Sequence, residues 1–120
     1  MNNKQDNPLV IYQKYVDLIY YSNDILKKYP KSEKFALVQE LKQTLYAGLR
    51  SLIFAQKEFN KKDKLKYLNE LDVNMVLLKL HIRLSYKFKY ITVQNYNAWS
   101  TKITDICNML GAWIMSCLKK

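Results

Sequence analysis

Lys79, Arg83 and Lys87 follow one another at four-residue spacing, and Tyr86 and Tyr90 fall on the same arc of a helix drawn through them. Cations in a row with aromatic rings between them suit one kind of chemistry: gripping phosphates while offering ring faces to bases. The same pattern also describes a solvated helix flank, and spacing alone leaves both readings open. Arg50 is a weaker addition to the set, as one of only two arginines, because a guanidinium holds phosphate through two parallel hydrogen bonds. Bond-breaking chemistry lacks its parts. His81 is the only histidine and has no Cys, Asp or Glu at ligand spacing, which argues against a metal. Cys107 and Cys117 have no helical neighbour suited to activate a thiolate. Gly48 and Gly111 stand singly inside helical pattern, so there is no glycine-rich phosphate loop. Glu40, Glu58, Glu70 and the aspartates are scattered and outnumbered by cations, and the Glu-x-x-His pattern of bundle di-iron sites is missing. The expectation is a non-enzyme with no metal, cofactor or small-molecule substrate.

Ten net positive charges on 120 residues call for an acidic partner. A long polyanion such as RNA or DNA is the natural one, since clustered Lys and Arg release its condensed counterions. The bias sharpens along the chain: from Val73 to Lys120 there are seven Lys or Arg residues and one acid, Asp105. Apolar residues make up 49% of the chain, too many for disorder. Only two Gly and two Pro occur, which starves the chain of the turns that all-β folds need. The expected organisation is one all-α domain over 1–120, with about 1–8 as a flexible tail. No apolar run reaches the roughly 18 residues of a membrane span, and Met1 to Pro8 lack an apolar signal core, so a cytoplasmic protein is expected. Cys107 and Cys117 sit ten residues apart on one expected helix, about 15 Å along its axis, too far for a disulfide. They read as small buried hydrophobes in a reducing compartment.

Four amphipathic segments must carry these residues. The first starts near Pro8 and ends near Tyr29, before Pro30, with Leu9, Tyr12, Val16, Ile19 and Leu26 toward the core. The second starts at Ser32 as N-cap, with Glu33 in its first turn. Its seam is Val38, Leu41, Leu45, Gly48, Leu52, Ala55 and Phe59, and the small Gly48 and Ala55 would let a neighbouring helix come close. The third is capped by Asp63 and runs to about Tyr90. The fourth is capped by Thr92, with Tyr96, Trp99, Ile103, Ile106, Leu110, Trp113 and Cys117 on its seam. Short connections imply antiparallel neighbours, hence an up-down-up-down antiparallel four-helix bundle of helices roughly 30 to 42 Å long.

The third segment is apolar on two sides. Leu68, Leu71, Met75, Leu78 and Ile82 form one stripe; Val73, Leu77, Leu80, Leu84, Phe88 and Ile91 form another, well over 90° away on the wheel. A wide core face in a fat bundle would account for both. So would one stripe packing the monomer and the other packing a second subunit, and a small bundle has few ways to cover two sides of one helix. The second account is preferred, which makes Val73, Leu77, Leu80, Leu84 and Phe88 an expected oligomer interface. If copies gather around an axis, their cation rows add into one basic surface or channel.

The run Tyr29-Pro30-Lys31-Ser32-Glu33-Lys34-Phe35-Ala36-Leu37 carries a family resemblance. With Leu65, Leu68, Leu71-Asp72 and Gly111-Ala112-Trp113, it resembles the accessory variability determinant (Avd) family of diversity-generating retroelements, from about Leu9 to Leu118. The junction is also similar to the wider group of small four-helix proteins that includes those encoded by intervening sequences in bacterial 23S rRNA genes. The Avd resemblance implies a bacterial or phage-encoded ring of four-helix bundles, typically a pentamer. It implies a non-catalytic accessory that partners a reverse transcriptase, template-repeat RNA and DNA while mutagenised cDNA is made and returned to a target gene. Pro30 and Lys31 match the junction; Lys31, on the bundle rim, faces either solvent or a protein partner. No family motif assigns Lys79, Arg83, Lys87 or Arg50, which rest on the helical wheel alone. The wider group implies an alternative, a protein-interaction module with no reverse transcriptase. A membrane-surface role fits poorly, because the apolar faces are committed to packing.

Overall fold

The computed structural model describes residues 8–119; the expected N-terminal tail falls almost wholly outside them. Four helices account for nearly all of this span: α1 (Pro8–Leu26), α2 (Leu37–Lys57), α3 (Lys61–Lys87) and α4 (Val93–Leu118). Among the described residues there is no strand. α1 packs on α2 and α4, α3 packs on the same two, and the backbones of the diagonal pairs stay more than 8 Å apart between Cα atoms. With short connections this is the four-helix bundle that the periodicity implies, drawn out to 49 × 27 × 19 Å.

Large apolar side chains fill the centre. α2 contributes Val38, Leu41, Leu45, Leu52 and Ala55; α3 contributes Leu68, Leu71, Met75, Leu78 and Ile82. α4 contributes Trp99, Ile103, Ile106, Leu110, Trp113 and Cys117, its expected seam apart from half-buried Tyr96. α1 departs from expectation. Leu9 and Tyr12 are exposed and Val16 and Ile19 only half-buried, while Ile11, Tyr15, Leu18, Ser22 and Ile25 face the core beside Leu26. Two of these are polar and pass inward because their polar atoms find partners. The Tyr15 hydroxyl donates to the Leu45 carbonyl, and the Trp99 indole donates to the Ser22 hydroxyl at 2.9 Å. A buried polar group with a partner avoids its desolvation penalty.

The helix ends are also corrected. α1 stops at Leu26, and Lys31–Glu33 form a 3-10 turn before α2. Ser32 does not cap α2; instead the Glu33 carboxylate accepts from the Leu37 amide at 3.4 Å and from the Tyr90 hydroxyl at 3.2 Å. Phe59 lies past the end of α2 and is 98% exposed, not on the seam. Asn60, not Asp63, caps α3, taking the Lys62 and Asp63 amides at 2.9 and 3.2 Å. Thr92 caps α4 through the Asn95 amide, as expected.

α3 stops at Lys87 rather than Tyr90, in a Schellman turn. The Tyr90 amide reaches back to the Ser85 carbonyl and the Lys89 amide to the Tyr86 carbonyl. This places Lys89 at φ 65, the left-handed position that glycine usually fills. Relieving that Cβ contact with Lys89→Gly should raise stability by about 0.5–1 kcal/mol, read as a higher urea midpoint at unchanged slope. An unchanged midpoint would mean the lysine bears no strain there.

Candidate nucleic-acid interface

α3 divides its surface three ways. One side is the core stripe. The opposite side carries Val73, Leu77, Leu80 and Phe88, all exposed in the single chain, with Leu84 half-buried among them. Val73 is 59% and Leu80 50% exposed, so these side chains do not belong to a broad core face. Val76, also exposed, widens the apolar side and escaped the sequence reading. Ile91 leaves the group: once α3 ends at Lys87 the chain turns inward, and Ile91 is buried under the bundle end.

The cation row runs along the flank next to α4. Lys79 and Arg83 line a shallow cleft of about 390 Å³ with Leu80, Tyr96, Ser100 and Thr104. Lys87 lies a turn further on, beside Lys89, Tyr86 and Ile91, around a second hollow of about 320 Å³. None of the three cations makes an ion pair among the described residues, where the pairs present are Lys14–Asp105 and Lys27–Asp24. With no carboxylate partner, their charge is open to a ligand, although Lys79 also hydrogen-bonds the Cys107 thiol.

The two tyrosines on this arc serve the fold more than the surface. Tyr86 stacks on Tyr96 of α4, centroids 4.8 Å apart, leaving one ring face free at most. Tyr90 packs against Tyr29 and Phe88 at 5.5 and 5.8 Å and is tied to Glu33 through its hydroxyl. Desolvation, then the Glu33 carboxylate, raises the Tyr90 pKa, and burial pushes Tyr29 up to about 12. Both stay neutral and join the α1–α2 connection to the end of α3. Cys107 is half-buried beside the row; burial raises its thiol pKa despite the pull of Lys79, which leaves it a poor nucleophile. Both cysteines are free thiols.

Arg50 does not join the row. It stands on the outer face of α2, whereas the row borders α4, diagonally across the bundle. There it lines a groove of about 530 Å³ with Lys34, Phe35, Lys42 and Tyr46. Lys31, exposed on the 3-10 turn, borders an adjoining hollow of about 240 Å³ that shares Lys34, Val38 and Lys42 with the groove and adds Lys27. Lys34 and Phe35 belong to the run that carries the family resemblance, but neither they nor Lys42 and Tyr46 are expected as contacts from the sequence. Lys42, Tyr46 and Arg50 do repeat at four-residue spacing, the signal that singled out the α3 row.

Among the described residues no three His, Cys, Asp or Glu side chains converge to hold a metal, and no helix is long and apolar enough to cross a membrane. No curated protein gives a significant match to the chain. A family described as bAvd-like, however, matches residues 9–117, nearly the full length and all four helices, and the chain belongs to that family.

Proposed function

We propose that the protein is a non-catalytic accessory of a retroelement reverse transcriptase, assembling as a ring of subunits, a pentamer by family resemblance, and holding template RNA, with DNA as its further nucleic-acid ligand, during mutagenic cDNA synthesis. The observation that carries this reading is the juxtaposition on α3: an exposed apolar side from Val73 to Phe88 running beside Lys79, Arg83 and Lys87, none of them in an ion pair among the described residues. Burying the apolar side against the next copy would bring each copy's cations to a shared rim. There the field of one subunit, weak against physiological salt, sums with its neighbours. Membership of the bAvd-like family supports the retroelement setting, and the net charge of +10 supports a polyanionic ligand. Nothing on the row reads base edges in a fixed pattern, so phosphate contact with weak sequence preference is expected. Lys31, on an exposed turn clear of the row, is assigned to the protein partner.

The test is a salt titration. Binding of a labelled single-stranded RNA should weaken linearly in log Kd against log salt, and Lys79→Gln, Arg83→Gln and Lys87→Gln together should flatten the slope by about 2, at about 0.7 per phosphate contact. The oligomer mass should not change. An unaltered slope would remove the row from the interface. Failure to bind RNA at all, together with failure to co-purify with the co-expressed reverse transcriptase, would leave the protein-interaction module in its place.

A further inference from the structure

The groove on the outer face of α2 is built differently from the α3 row. Phe35 stands just before α2 and is 81% exposed, so its ring is open to a ligand that enters the groove it lines. The Lys34 ammonium lies 5.4 Å from the centre of that ring. Across the groove, the Tyr46 ring is fixed in place: its hydroxyl accepts from the Asn23 amide at 3.1 Å, and the same amide group donates to the Ile19 carbonyl at 2.9 Å. Lys42 and Arg50 sit one turn either side of Tyr46 on the same helix line, about 12 Å apart along the axis. Gln39 and Gln43 also line the groove, with amides that both donate and accept. No carboxylate lines this groove or the adjoining hollow, although Lys27 and Lys31 extend the positive charge into the latter.

We propose that this groove is a second nucleic-acid site, which holds a single-stranded polynucleotide with bases stacked on Phe35 and Tyr46 and phosphates on Lys34, Lys42 and Arg50. Three features select this occupant. The groove is cationic and acid-free, which fits a polyanion. Its apolar elements are aromatic, and every base offers a ring face to such a platform. A duplex keeps those faces inside its own stack, so only an unpaired strand can use them. Holding Tyr46 in advance lowers the ordering cost of binding. The site lies away from the α3 row, and an assembly with both would grip a strand at two places per subunit.

The inference rests on the reading of the chain as a nucleic-acid binder, but the two contacts can be separated. A labelled 12-nucleotide oligouridylate and a duplex of equal length are titrated by fluorescence anisotropy against the full chain. Phe35→Ala should weaken the single strand by about tenfold or more, with less than about twofold effect on the duplex, and Phe35→Trp should restore binding. Because Phe35 is exposed, its removal should leave the thermal melt unchanged. Lys42→Gln with Arg50→Gln should flatten the single-strand salt slope by about 1.4. These losses should occur equally in a background that carries Gln at 79, 83 and 87, so the groove stands even if the α3 row is not a contact. Equal losses for single strand and duplex, or no loss, overturn the proposal. So does displacement of the oligonucleotide by polyglutamate of matched charge as readily as by unlabelled oligouridylate, which would make the groove a site for acidic protein.

Discussion

Gly48→Ala should destabilise the fold by about 3 kcal/mol. Gly48 is on α2 at the point where α1 and α3 both press in: a Cβ there would run into the Tyr15 hydroxyl and sit 3.3 Å from the Leu71 Cδ1. Tyr15 cannot simply swing aside, because it is fully buried and its hydroxyl is donated to the Leu45 carbonyl one turn earlier on α2. Moving it forfeits that bond, about 1–3 kcal/mol for a buried hydroxyl left without a partner, and adds overpacking of similar size. Alanine's better helix propensity returns about 1 kcal/mol. The melting point should drop by about 10 °C. The decisive comparison is the pair with Tyr15→Phe. Taking away the hydroxyl removes the clashing atom, so Gly48→Ala in that background should cost far less than alone, a coupling that two independent sites would not display. A Gly48→Ala protein as stable as the parent would show that the α1–α2 contact is loose.

Tyr15 also explains where sequence and structure part company. α2 and α4 are legible from spacing over most of their length, because the residues at 3-4 intervals from Val38 to Ala55 and from Trp99 to Cys117 are the ones the fold buries, although apolar Ile53, Phe54 and Met115 stay outside. α1 offers two such runs. Leu9, Tyr12, Val16 and Ile19 make one; Ile11, Tyr15, Leu18 and Ile25 make the other, with Ser22 in line. Apolar character does not separate them, since each holds one Tyr and Asn23 interrupts the first as Ser22 does the second. The second wins because Tyr15 and Ser22 are satisfied by a backbone carbonyl and an indole that lie 30 and 77 residues away. Partners at that distance leave no local trace. The end of α3 is obscure for a related reason: its left-handed stop falls on Lys89, where the residue type gives no warning. The α3 surface was readable in part: the helical period put Val73, Leu77, Leu80 and the three cations outside, but it missed Val76, placed Ile91 outside although it is buried, and offered Tyr86 and Tyr90 as free rings although both pack within the fold. The α2 groove was not, because Phe35 reaches it from outside the helix, and only the fold brings a connection residue beside Tyr46 and Arg50.

Leu77→Asp with Leu80→Asp should reduce the proposed assembly to single chains of 14.3 kDa, measured by light scattering at micromolar concentration. Both side chains point away from the bundle, 41% and 50% exposed, so two carboxylates there are tolerated by the monomer and its helix content should hold, with the melt lowered only by the stabilisation that assembly supplied. In an interface the same carboxylates would be stripped of water against a neighbour's apolar surface, at several kcal/mol per unpaired charge, repeated at every junction. The pair therefore tests the two-sided nature of α3 without touching its core side. A ring other than a dimer uses different patches at its two edges, so one lost patch opens every contact at once and no smaller ring should accumulate. RNA binding should fall with the mass, because the cations at 79, 83 and 87 remain but no longer add across copies. A variant that retains the parent's mass would clear α3 of the interface. A parent already monomeric at moderate salt would remove the shared rim on which the proposed function depends. Loss of mass with RNA affinity intact would show that each chain binds alone, and would shift the weight of recognition to the groove on α2.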